Sequence, residues 1–464
     1  MGQVVQMKKR RYDAASQSDR LSGWNAPSSD ANASIDRPDI IRNRARDLAR
    51  NNPWAVKGLS AIVNNTIGHG IRAQWKTTNK AKTKKLQQLW KKWAESKDCD
   101  ATGMTNLYGL QQLAMRALVE SGECLIRLRP RRAEDGLSVP IQLQIIEPDY
   151  LATSADGKAK NGNAIDSGIE YDSLGRRTAY YLYKHHPSTN VYRMGGDFMK
   201  YTRVPADEVI HLFRRDRAGQ ERGVSWLAPI IVTLRELDIY EDAYLKRQQL
   251  ANLHAAFVYT EEDIDEEIED YAETSGSISA GSFNVMRPNR TVEFNNPPQA
   301  GDYGKYTADN LGRVASALGI TREALTGDLS AVNFSSARLG WQEMGRNIET
   351  WRWSLFVPQF CDTVAKWFAD VTGYDNASIE WSPPARTLVD PAKETAAIKD
   401  AIRIGLMTPS EAMRAQGYDP ERLMQEWSED AKAFDKYGLV LDCDPRQDKV
   451  DIGANDVEED ENES

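Results

Sequence analysis

Gly301-Asp-Tyr-Gly-Lys-Tyr-Thr307 collects the glycines, the lysine and the hydroxyl that phosphate binding uses. A nucleotide cradle needs enough chain between its glycines for successive N–H groups to surround a phosphate, with Lys-Ser/Thr at its end. Here the glycines stand too close together, so no nucleotide site is predicted. Gly276-Ser-Ile-Ser-Ala-Gly281 nearly matches a nucleophile elbow, but it sits in a Ser/Gly loop rather than between a strand and a helix, and reads as a hinge. The five histidines, His69, His185, His186, His211 and His254, form neither HExxH nor a Cys/His zinc pattern. His185-His186-Pro187 could ligate a metal, but no Cys or acid stands near it in sequence, so it reads as a polar surface loop. Glu261, Glu262, Asp263, Asp265, Glu266 and Glu267 open a run of nine acids ending at Glu273. A two-metal nuclease draws its acids from separate elements onto one point. Acids on one short helix make a solvated electrostatic surface instead. No catalytic residue, cofactor site or metal set is predicted.

The whole chain sets wider bounds. Its 464 residues exceed one ordinary core, and two or three units are expected. A hydrophobic share of 41% with 12 Trp allows large cores and excludes a disordered chain. The net charge of −9 argues against a dedicated nucleic-acid binder. No apolar run approaches the roughly 20 residues that span a bilayer, and Met1 to Arg11 lacks the apolar segment of a secretory signal. Four Cys, at 99, 124, 361 and 443, have no paired spacing, which fits a reducing cytoplasm without disulfides.

Periodicity then gives the elements. Residues 1–35 are polar and read as a flexible arm; Lys8-Lys-Arg-Arg11 within it reads as solvated, though it could touch nucleic acid. Two helices follow from Asp39 to Thr66, with Pro53 starting the second and Gly68 and Gly70 ending it. A lysine-rich amphipathic helix (Lys80 to Lys97) and another (Asn106 to Ser121) come next. Period-two runs at 124–129, 141–146, 169–171 and 178–183 predict strands, the last two joined by a hairpin turn at 172–176. Ser225 caps a long helix to about Asn252, with a stripe of Leu227, Ile230, Leu234, Leu237 and Tyr244. A small insert follows: the acidic helix, then short strands at 282–286 and 291–294. Tyr306 to Leu318 is helical again, and Asp390 to Tyr437 reads as two or three polar helices before an acidic end, Asp456 to Glu463. Trp90, Trp93, Trp341, Trp351, Trp353 and Trp367 lie on or beside helical stripes and are read as packing residues.

Gly319 to Arg338 joins one helix to a much longer one through a loop rich in Gly, Asp, Ser and Asn. The longer helix has stripes at Trp341, Met344, Ile348, Trp351 and Leu355 and at Cys361, Val364, Phe368 and Val371. Pro358 between them predicts a kink. Gly327, Asp328, Ser330, Asn333, Phe334, Ser335, Ser336 and Arg338 resemble the signature GD-x-S-x-x-N-Tyr-S-S-x-R of the lambda family of tailed-phage portal proteins, with Phe334 in place of the Tyr. Ala49-Arg-Asn-Asn-Pro through Gly70 resembles a second family segment, and Val204 to Phe213 with Gly223 to Pro229 a third. The matches run in family order from about residue 40 to about 420.

The resemblance implies an α+β phage portal fold: an α/β wing, long stem helices, a small αββ clip, a tunnel loop on a kinked long helix, and a helical crown. It divides the chain into an arm (1–35), wing (36–224), stem helix (225–255), clip (256–301), second stem helix (302–320), tunnel-loop region (321–338), kinked wing helix (339–386), crown (387–440) and acidic disordered tail (441–464). It implies a non-enzymatic ring of twelve copies at one capsid vertex of the virion, assembled in the host cytoplasm, without cofactor or membrane. Double-stranded DNA would pass through non-specifically during packaging and ejection. Further partners would be the terminase large subunit, major capsid and scaffold proteins, and head-completion (adaptor) and tail proteins. Asp328, Asn333, Ser335, Ser336 and Arg338 are the candidates for contact with that DNA, Arg338 with phosphates. Asp328 and Ser335 could equally serve as helix caps. Arg214-Arg-Asp-Arg217 is read as pairing with acids of an adjacent subunit, in preference to a DNA phosphate. Another head–tail connector or minor capsid protein is the alternative, and a DNA-processing nuclease a more distant one.

Overall fold

A computed structural model describes residues 26, 28–33, 35, 37–188, 200–251, 256–258, 283–285, 303–330, 332–385 and 390–439. In chain order the elements are α1 (Pro38–Asn51), α2 (Pro53–Thr66), β1 (Arg72–Lys76), α3 (Lys80–Ala94), α4 (Leu107–Ser121), β2 (Glu123–Pro130), β3 (Ile141–Ile146), β4 (Gly157–Lys158), β5 (Ala164–Asp166), β6 (Ile169–Tyr171), β7 (Arg177–Tyr183), β8 (Tyr201–Pro205) and β9 (Val209–Phe213). Then come α5 (Ile231–Ala251), β10 (Ala256–Val258), β11 (Phe283–Val285), α6 (Tyr303–Leu318), α7 (Arg322–Thr326), α8 (Phe334–Thr350), α9 (Asp362–Thr372), β12 (Ser378–Ser382), α10 (Pro391–Arg403), α11 (Pro409–Ala415) and α12 (Pro420–Tyr437).

The helix boundaries follow their caps. Asn52 alone separates α1 from α2, because Pro53 is disfavoured as a continuation of α1 but suits a first turn. Asn52 Oδ1 accepts the Ala55 N–H (2.9 Å), while its amide donates to Asp238 Oδ1 on α5 (2.8 Å). The cap therefore also ties the first helices to the long one. Asn79, Asn106, Asp390, Thr408 and Asp419 cap α3, α4, α10, α11 and α12 in the same way.

Among the described residues the strands form four sheets. β2 lies between β3 and β9, antiparallel to both. β4 to β8 make a five-stranded antiparallel sheet with its strands in chain order, and the Asp172–Arg176 turn joins β6 to β7 as expected. β1 pairs with β12, Arg72 opposite Ser382, a contact that no local pattern announced. β10 and β11 form a parallel pair. β11 matches the expected strand at 282–286; the one at 291–294 and the acidic helix lie outside the described residues.

One large core joins α1 to α4, the first half of α5, α6 and the helical run 334–372. At its centre the Trp90 ring stands edge-on to Phe368 (4.8 Å) and to Trp75 (5.4 Å). Trp90, Trp93, Trp351 and Trp367 are packing residues, as predicted. Trp341 and Trp353 differ: they are 48% and 40% exposed. The expected break at Pro358 takes the form of changed winding. Residues 351–361 are π-helical, and α8 runs through them into α9. Pro358 has no N–H to give an α-helical bond, and the wider turns of a π segment accommodate its ring. The same segment reaches out on both sides. Gln359 donates to the Phe213 carbonyl and accepts its N–H, each at 3.1 Å, covering the open edge of β9. Arg352, buried, donates to the Thr66 and Asn65 carbonyls (3.0 and 2.9 Å) at the end of α2.

Two glycines let α4 end where the loop before α5 passes. Gly122 has φ +87, and a Cβ there would lie 2.2 Å from the Val224 carbonyl carbon; a Cβ on Gly223 would lie 2.1 Å from the Gly122 oxygen. Neither backbone can carry a side chain at that distance. Gly122→Ala should therefore destabilise the chain by more than about 1 kcal/mol, the scale for a left-handed residue alone, seen as a lower midpoint in thermal unfolding.

Candidate functional site

The loop singled out by sequence is built largely by its own side chains. Thr321 caps α7 through the Ala324 N–H (3.1 Å), and Gly327, at φ +75, ends it. Asp328 Oδ1 accepts the Ser330 N–H (2.9 Å). Hydrogen bonds from the Ser330 hydroxyl and N–H hold its carboxyl below the usual range. Asn333 caps α8 by accepting the Ser336 N–H (2.9 Å), and Ser336 Oγ accepts the Asn333 N–H (3.2 Å) in return. Asp328, Asn333 and Ser336 thus shape the loop. Ser335 caps nothing: the cap is Asn333, two residues earlier, boxed with Ser336. Ser335 and Arg338 are exposed, and among the described residues neither has a hydrogen bond or ion pair. Leu329 and Leu339 are exposed as well (66% and 67%).

A second cluster was missed by sequence. Glu123, the first residue of β2, is buried and gathers three elements. Arg222 Nε lies 3.0 and 3.1 Å from its two oxygens, Gly223 N–H donates to Oε2 (3.0 Å), and His211 Nε2 lies 2.9 Å from Oε2. Arg177 Nη1 reaches His211 Nδ1 at 3.3 Å. Burial alone would raise the Glu123 pKa, but the Arg222 charge and the His211 hydrogen bond overcome it and hold it well below the carboxylate range. Burial dominates at His211, with Arg177 and Arg222 adding to it, and lowers its pKa to about 4 despite the carboxylate. His211 is therefore neutral at pH 7, its Nε2–H donating to Glu123 and its Nδ1 accepting from Arg177. The Val204–Phe213 and Gly223–Pro229 motifs supply His211 and Gly223. Nothing local marked Glu123 as their partner.

Other sequence expectations are revised here. His186 does have acids nearby: its Nε2 lies 3.3 Å from Glu147 Oε2, and Asp149 completes a group whose ligand atoms fall within 4.8 Å of one another. The end of β3 and the loop after β7 meet there, which sequence spacing hides. Arg42 and Arg46 of α1 already balance these carboxylates, Arg46 at 2.7 Å from Asp149, so the group reads as an ion-pair network tying α1 to the sheet. Arg214 and Arg217 are engaged within their own chain. Arg214 pairs with Asp216 (2.7 Å) and lies over the Trp226 ring (4.3 Å), and Arg217 donates to the Ser29 carbonyl (3.0 Å). Glu261, Glu262, Asp263, Asp265, Glu266 and Glu267 lie outside the described residues. Cys99, Cys124 and Cys361 are free and buried, and burial pushes the Cys99 thiol up to about 12.

Removing one member of the Glu123 cluster strands the others without counter-charge. Glu123→Ala should cost about 3–5 kcal/mol, measured by denaturant unfolding. The pH dependence has a definite sign. A neutral His211 gives its full stabilisation above pH 6.5 and loses it toward pH 4, as the unfolded chain takes up a proton that the fold refuses. Glu123 adds acid sensitivity only below its unfolded value of 4.5. The unfolding midpoint should fall as pH drops from 6.5 to 4, and His211→Gln should flatten that slope.

Comparison with known proteins agrees with these motifs. The family model described as phage portal protein, lambda family, matches residues 17–352. The chain is 28% identical to the probable portal protein of Halomonas phage phiHAP-1, over 86% of this chain and 82% of that one. It is 20% identical to the portal protein of Escherichia phage N15, over 88% and 87%. Among solved structures it is similar to a chain in the neck of an empty GTA particle, at 13% identity and a TM-score of 0.47, covering 82% of this chain and 94% of that one. With its loop signature and motif order in place, the chain belongs to the lambda family of phage portal proteins, which form a ring at one vertex of the capsid.

Proposed function

We propose that this chain is the structural, non-catalytic subunit of a twelve-membered channel through which double-stranded DNA is packaged and later ejected. The observation that carries the reading is the loop at 327–338, whose signature the family shares and whose Ser335 and Arg338 stand exposed at the start of a long, well-anchored helix. In the ring we propose, this loop, with Ser335 and Arg338, would face whatever fills the centre. We assign 36–224 with 339–386 to the wing, 225–255 and 302–320 to the stem, 256–301 to the clip, 321–338 to the tunnel-loop region and 387–440 to the crown. The arm (1–35) and tail (441–464) flank them. The terminase large subunit, scaffold and capsid proteins, and later head-completion and tail proteins, would dock on the ring, which would assemble in the host cytoplasm before joining the virion.

Electrostatics favours transit over capture. A duplex carries about one charge per 1.7 Å, and a strongly basic channel would hold it through counterion release. A net charge of −9 per copy, repeated around a ring, opposes that, while Arg338 offers a brief phosphate contact.

Electron-microscope class averages of the purified protein should show rings with a central hole wide enough for a duplex. Arg338→Ala should leave ring assembly unchanged and reduce packaged or retained DNA in particle assays. Rings lost on that substitution would make Arg338 an assembly contact and remove the channel role.

A further inference from the structure

Helix α3 breaks the local rules that stabilise helices. Its first turn holds no acid and includes Lys80 and Lys82, against the helix dipole. Lys80 and Lys84 stand four apart, where like charges repel. Between residues 80 and 97 there are seven lysines and one acid, Glu95, in a chain whose net charge is −9. The helix is held all the same, by the Asn79 cap and by Leu86, Trp90 and Trp93 buried on its inner face. Local conflict compensated by packing is the usual mark of a functional surface.

The geometry of that surface is regular. At 3.6 residues per turn, Lys80, Lys84 and Lys91 line one strip and Lys85 and Lys92 another beside it, opposite the buried side. All five are exposed. Their one ion pair among the described residues is the long Lys91–Glu95 contact at 4.0 Å. From Lys80 to Lys91 the helix rises about 16 Å.

We propose that the outer face of α3 is a second, sequence-independent DNA-binding surface, built on a different element from the 327–338 loop. It fits a duplex backbone. About 16 Å of duplex presents several phosphates, and lysines act as mobile point charges with no forked geometry for reading bases. The inference rests on the portal reading only for the identity of the polyanion at hand.

The test is fluorescence anisotropy of a short labelled DNA duplex against the purified full-length chain, titrated with salt. The wild type is compared with Lys84→Ala/Lys85→Ala/Lys91→Ala/Lys92→Ala and, separately, with Arg338→Ala. All four lysines are exposed, so the quadruple variant should fold, with ring formation checked by light scattering. Removing about four phosphate contacts should make the plot of log affinity against log salt shallower by about 3 to 4, and weaken binding at low salt by tenfold or more. An unchanged affinity and slope, with rings intact, would overturn the proposal and leave the portal reading standing. So would loss of binding in Arg338→Ala alone. Absence of duplex binding by the wild type, with a synthetic peptide of residues 440–464 binding in a lysine-dependent way, would assign the face to the chain's own acidic segment and overturn it equally.

Discussion

A single buried carboxylate sets the relation between the sheet and the long helix. Glu123 begins β2 immediately after α4 has ended at Gly122. Its oxygens take Arg222, the Gly223 N–H and His211 at once. An unpaired carboxylate there would be prohibitively costly in so dry a place, so the chain from 213 to 225 can take only a path that delivers those donors. That path brings Gly223 across Gly122 and lets Trp226 N donate to the Val119 carbonyl (3.0 Å). The direction in which α5 leaves the core follows from it. Asn52, pairing with Asp238, fixes α5 a second time one turn past the buried Leu234.

The helical run 334–372 is the other half of the frame. A regular α-helix through Pro358 would lose a bond and meet the ring. Residues 351–361 wind as a π-helix around that ring, and Arg352 and Gln359 within it bond to the end of α2 and the edge of β9. The helix that follows Asn333 is thereby anchored to the core at its far end.

Away from that frame, one copy is unfinished. Val232, Ile239 and Leu245 on α5, Leu339 and Trp341 on α8, and Met424 and Trp427 on α12 are large apolar side chains left in solvent. Monomers seldom display large contiguous apolar patches. The polar helices α10 to α12 are also nearly without buried residues of their own.

Sequence alone determined what depends on near neighbours. Helix limits at Pro53, Gly68, Asn106 and Thr408 were legible because caps and proline act within one turn. So were the apolar stripes, the Asp172–Arg176 turn and the motif order that gives the family, as fixed spacings carry them. Tertiary structure decided whatever needs two distant segments to meet. The β1–β12 pair joins residues 72–76 to 378–382, the acids beside His186 arrive from another strand, and Arg214 and Arg217 find partners in their own chain. Which loop residue caps α8 also waited on geometry. Asn333 and Ser335 are both competent caps, and only the backbone angles choose. Glu123 shows the limit most clearly: an acid at the start of a strand is unremarkable in sequence, and burial among two arginines and a histidine is a property of the fold.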